Sequence, residues 1–166
     1  MSDCVQVQLD LRQSQTQSID VSIQWTPVSK RQVLQLPVWT PGSYTVRDHA
    51  QYLHGLTLSS GSTQLPVRRL EPSRWVVDLD DLEPLTLAYT VIARDLTVRT
   101  CHLDPDGASL CLAALVMEVD GRRWASHDLE ILSPDHWETH VPLERVGSRW
   151  SAVDLDALID SPVHAG

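Results

Sequence analysis

A chain of 166 residues, 42% hydrophobic and 21% charged, has the make-up of one globular domain, which at this size buries roughly 70% of its unfolded surface. Its formal net charge of −9 argues against nucleic acid or anionic membrane as a partner, because both recruit clustered Lys and Arg. The adjacent basic pairs, Arg68-Arg69 and Arg122-Arg123, read as solvated turns or edges.

Most of the chain has a period of two. Val5, Val7, Leu9 and Leu11 alternate with Gln6, Gln8 and Asp10, which predicts a half-buried strand. Gln13 to Gln17 reads as a turn, and Ile19, Val21, Ile23 and Trp25 repeat the alternation. Val33 to Trp39 is predicted as a third strand, running into Thr40-Pro41-Gly42-Ser43. Those four residues suit a type II turn, with Pro41 presetting the first corner and Gly42 able to take the positive φ of the second. Trp39, Tyr44 and Arg47 flank this stiff corner, with Asp48 beside them. The plain alternative is that the two rings cap the core and Arg47 pairs with a carboxylate.

HAQYLHG, from His49 to Gly55, shows neither period and is read as a loop or helical turn. Gly55 to Ser59, Thr63 to Leu70 and Arg74 to Leu79 read as strands, the first two joined at Ser60-Gly61-Ser62. Leu85 to Arg94 is rich in β-branched residues. Ala108 to Val119 is apolar through its middle and is predicted as a central strand buried on both faces. Asp120-Gly121 is a turn dipeptide, followed by predicted strands at Trp124 to Leu132, Trp137 to Leu143 and Arg149 to Val153. Asp154 to Asp160 has the acidic start of a helix, which Pro162 ends. About ten short strands and one short C-terminal helix point to an all-β fold, an antiparallel β-sandwich or saddle-like double sheet.

The chemistry-bearing residues are few. His136-Trp137-Glu138-Thr139-His140 places two histidines four apart, but that spacing makes a metal site only on a helix. The flanking Pro134 and Pro142 and the β-branched Thr139 and Val141 favour an extended segment, which separates the imidazoles by about 13 Å. No metal is expected there. Cys4, Cys101 and Cys111 are an odd number without CxxC spacing, fitting packed thiols in a reducing compartment. No run reaches membrane-span length and the N-terminus has no signal-peptide pattern, so a cytoplasmic location is expected. GxSxG, Walker and GxGxxG motifs are absent from the sequence. Arg99, His102 and Asp104 gather near the Asp104-Pro105-Asp106-Gly107 turn, either as a loop ion pair or as a surface aimed at a partner.

Three segments together resemble one family. LPVWTPGSYTVRD (Leu36 to Asp48), YTVIARDLTVRTCHLD (Tyr89 to Asp104) with GASLCL (Gly107 to Leu112), and LIDSPVHAG (Leu158 to Gly166) are similar to the N-terminal domain of the glycyl aminopeptidases. These are HExxH zinc metallopeptidases that usually carry a PDZ domain further on. The resemblance implies a fold similar to the N-terminal domain of aminopeptidase N relatives. Residues 1–160 would then be a single β-sandwich, and 161–166 the start of a connection to a catalytic domain that the chain lacks. It also implies that zinc and the motif glutamate belong to that domain, so that this chain holds no catalytic or metal residue. Its partners would be its own catalytic domain and, in the full-length protein, a peptide substrate. Trp39, Tyr44, Arg47, Arg99, His102 and Asp104 become candidates for the domain interface or substrate cleft, with Pro41 and Gly42 shaping the turn. The alternative is a free-standing sandwich that binds carbohydrate through exposed Trp, or a protein-interaction module. It rests on a composition of six Trp and no Phe.

Overall fold

The computed structural model describes residues 3–37, 49–94 and 100–166. Sixteen strands form among them: β1 Val5–Asp10, β2 Ser18–Trp25, β3 Arg31–Gln35, β4 Leu53–Ser60, β5 Thr63–Leu65, β6 Arg68–Glu71, β7 Arg74–Asp78 and β8 Leu85–Ile92, followed by β9 His102–Asp104, β10 Gly107–Cys111, β11 Glu118–Val119, β12 His127–Leu132, β13 Thr139–His140, β14 Glu144–Val146, β15 Arg149–Ala152 and β16 Pro162–Ala165. One α-helix, α1 Leu155–Ile159, precedes β16. An eight-stranded sheet has the order β14-β15-β12-β1-β2-β8-β4-β5, and two four-stranded sheets have the orders β13-β16-β10-β9 and β11-β3-β7-β6. All three contribute to one hydrophobic core, with Val7, Ile23 and Leu87 from the large sheet, Leu103, Leu110 and Val163 from the second and Leu34, Trp75 and Val77 from the third.

The alternating strands behave as their period predicts. In β1, β2 and β8 every second side chain is buried, because one face of the large sheet meets the core and the other meets water. The protein is all-β, and its sheets are antiparallel with one exception: β1 pairs with β12 in parallel, Val5 opposite His127 and Leu9 opposite Ile131. Hairpins make antiparallel neighbours, whereas a parallel pair needs a long crossover. Here the crossover passes through both smaller sheets before β12 returns beside the first strand.

Four readings of the sequence change. Ala108 to Val119 is not one strand: β10 ends at Cys111, a 3-10 turn covers Leu112–Ala114, and β11 belongs to a different sheet. The run is apolar because Leu112 through Met117 cross the core interior, and continuous apolarity does not distinguish that path from a buried strand. Thr63 to Leu70 divides into β5 and β6, which sit in different sheets. Pro66, between them, has no N–H for a ladder. Arg122 is buried, not solvated, with its guanidinium donating to the Thr26 carbonyl at 2.7 and 3.2 Å. The tryptophans are mostly structural: Trp25, Trp75, Trp137 and Trp150 are in the core, and only Trp124 is exposed among those described. Among the described residues, then, the Trp-rich composition mainly fills the core.

The helix forms where its acidic start predicts. Asp154 is extended, and its carboxylate accepts from the Ala157 N–H at 2.8 Å, a side-chain N-cap. The chain then turns directly into β16, whose residues pair with both β10 and β13. No helix among the described residues is long and apolar enough to cross a membrane.

Candidate functional site

His102 and Asp104 stand on the β9–β10 hairpin. Asp104 spends one carboxylate oxygen on the turn, where Oδ1 accepts from the N–H groups of Asp106 at 2.8 Å and Gly107 at 3.1 Å. Its other oxygen, Oδ2, lies 2.8 Å from Nε2 of His102. The His102 ring, helped by the Asp106 N–H, holds the Asp104 carboxyl below the usual carboxylate range. Gly107 is required here for space. A Cβ at this position would come within 2.8 Å of the Ala165 carbonyl oxygen on β16, so the hairpin can approach that strand only with glycine.

The hairpin also brings Ser109 directly opposite His102 in the ladder. This does not make a nucleophile, because Nδ1 of His102 has no hydrogen-bond partner and therefore does not activate the hydroxyl. Cys101, the residue before β9, is equally unsuited: its Sγ donates to the Cys111 carbonyl at 3.4 Å, and burial pushes the thiol up to about 12. Among the described residues the pair His102–Asp104 is thus a hydrogen-bonded polar corner, with neither Ser109 nor Cys101 activated beside it.

Trp39, Pro41, Gly42, Tyr44, Arg47 and Arg99 lie outside the described residues. Residues next to their two segments do meet. His49 and Tyr52, which follow the Trp-Thr-Pro-Gly stretch, share a small recess with Thr100, Cys101, Val91 and Ala114. The space is about 10 Å³, room for at most one water molecule. Among the described residues it is a packing contact between two chain segments. His49 and Tyr52 had no motif to mark them; their only signal was adjacency to the Pro-Gly corner.

The zinc that the resemblance implies finds no HExxH donor set here. Among the described residues no three His, Cys, Asp or Glu side chains are gathered for a metal ion. In the one His-x-x-x-His segment His136 lies in a turn and His140 on β13, so the two are not carried on one helical face.

Comparison with known proteins places this architecture. A search of curated protein sequences returned no match. Among solved structures, the chain superimposes on an aminopeptidase N family protein from Idiomarina loihiensis with a TM-score of 0.92 and 27% identity, over 98% of this chain and 29% of that one. It is also similar in fold to an M1 zinc metallopeptidase from Deinococcus radiodurans, with a TM-score of 0.57 and 10% identity over 98% of this chain and 41% of that one. Yeast LTA4 hydrolase in complex with bestatin gives a TM-score of 0.58 and 11% identity, over 98% of this chain and 28% of that one. The chain therefore spans well under half the length of each of these proteins. The family model that matches residues 6–166 is the Peptidase M61 N-terminal domain, and the chain belongs to that family.

Proposed function

We infer that this chain is the non-catalytic N-terminal domain of a zinc aminopeptidase, which packs on a catalytic domain and helps to form its substrate cleft. The observation that carries the reading is the match over residues 6–166 to an M61 N-terminal domain, together with the close superposition on less than a third of an aminopeptidase N family protein. In this reading zinc and the water-activating glutamate are supplied by the catalytic domain. The packing unit includes β16, whose Val163 lies in the shared core, so the connection to that domain comes after this strand and not at residues 161–166. In the same proposal Tyr44 and Arg47 contribute to the face towards the catalytic domain, and Trp39 and Arg99 are further candidates for that interface or the cleft. His102 and Asp104, joined by their hydrogen bond, are candidates for the same interface. A PDZ domain downstream and a cytoplasmic location belong to the same proposal.

Reading the parent gene past Gly166 tests it. An HExxH helix within the following domain is expected, and a downstream sequence without one removes the proposal. The purified chain should hydrolyse no aminoacyl or dipeptide substrate, whether or not zinc is added. Zinc-dependent turnover by this chain alone would contradict the assignment.

A further inference from the structure

His136 stands in a turn and His140 on β13, so the two do not share a helical face, and the sheet supplies His140 with a different neighbour. In the antiparallel pairing of β13 with β16, His140 is the direct partner of His164. One residue pair further along lies Ala165 opposite Thr139. Beyond it, Glu138 and Gly166 exchange both backbone hydrogen bonds, at 2.9 and 3.0 Å. Since antiparallel ladders alternate, His140 and His164 are again a hydrogen-bonded pair, with Cα atoms about 5.5 Å apart and both side chains on one face. Residues on the opposite face confirm the alternation: Val163, Ala165 and Trp137 are buried in the core.

Both imidazoles are exposed and line one open groove, walled by Thr139, Pro142, Trp150 and Pro162. Glu138, two residues before His140, adds a carboxylate oxygen 3.9 Å from the His140 Nε2. Two ring nitrogens bound to zinc at about 2.0–2.1 Å stand roughly 3.3 Å apart in tetrahedral geometry, a spacing that rings springing from directly opposed strand positions can reach. No third ligand is already in place among the described residues, so the pair makes a two-imidazole clamp, completed by water and by the exposed carboxylate of Glu138.

The geometry points to a divalent transition-metal site at His140 and His164, selective for ions of the Zn²⁺, Ni²⁺ and Cu²⁺ class. Imidazole donors favour these ions, whereas Ca²⁺ and Mg²⁺ require a shell of oxygens that this face does not offer. The site depends only on strand register and stands or falls independently of the peptidase reading.

Calorimetric titration of the purified chain with Zn²⁺ and Ni²⁺ tests it, with imidazole proton signals followed by NMR. One bound equivalent is expected, with shifts at the signals of His140 and His164. Affinity should fall at least about tenfold in both His140→Ala and His164→Ala. His136→Ala should bind as the parent does, and Ca²⁺ should give no saturable heat. Thermal melts of the metal-free variants should match the parent, because both side chains lie in solvent. Unchanged affinity in either single variant, an equal loss in His136→Ala, or no saturable binding by the parent overturns the assignment.

Discussion

Arg122 shows what a single buried cation contributes. Its guanidinium donates twice to the Thr26 carbonyl and reaches Asp3 at 3.0 Å. Asp3 is almost fully exposed, so that ion pair contributes little. The stabilising part is the satisfied carbonyl. Arg122→Ala should therefore lower unfolding stability by about 1–3 kcal/mol, as read by urea denaturation. Arg122→Lys should recover only part of this, since a single ammonium cannot reproduce the fork. His127 makes a second prediction at this scale. It is buried in β12, with Nδ1 donating to the Ala125 carbonyl at 2.9 Å, and burial lowers its pKa despite that carbonyl and the charges of Asp154 and Asp128. A histidine whose folded pKa is depressed binds fewer protons folded than unfolded once the pH drops below about 6.5. Its contribution is intact above that pH and declines as acidification proceeds towards the folded value. The slope is at most about 1.4 kcal/mol per pH unit. Unfolding free energies measured from pH 8 to 5.5 should fall more steeply for the parent than for His127→Asn, which keeps a donor at Nδ1's position. Parallel curves would assign the slope to other groups.

Among the elements, the crossing segment after β10 is held by a side chain rather than by a ladder. Tyr89 on β8 is buried, its hydroxyl donating to the Leu115 carbonyl and accepting from the Met117 N–H at 3.2 Å. Burial drives the phenol pKa upward, so it remains a neutral donor at any ordinary pH. Tyr89→Phe leaves two backbone groups without this partner inside the core. A loss of about 1–3 kcal/mol is expected, or a fall of roughly 2–12 °C in Tm for a domain of this size, without change in the far-ultraviolet spectrum. A shift smaller than 1 °C would mean that the segment finds other partners. The sequence showed Tyr89 within a strand; only the structure showed it facing inward and what lay opposite. The reverse holds for α1, whose acidic start at Asp154 was visible locally because a helix N-terminus is set by its own first turn.

For the molecule as a whole, the proposed role makes a prediction about activity. In the full-length protein Arg47→Ala should reduce kcat/KM roughly 10- to 100-fold, the scale of a mispositioned cleft, while Tm changes little. A large Tm loss with normal turnover would instead place Arg47 in a structural ion pair. The sequence by itself determined the strands with strict alternation, the turns at Asp104 to Gly107 and Asp120-Gly121, the C-terminal helix and the family. These follow from contacts between near neighbours, and from a Pro-Gly stretch that is distinctive in itself. Only the tertiary structure decided that β1 lies parallel to β12, that Arg122 serves Thr26, and that His140 faces His164 and not His136. Each of these joins residues far apart along the chain, so each depends on which strands pair and in what register, and local propensity carries no record of that choice.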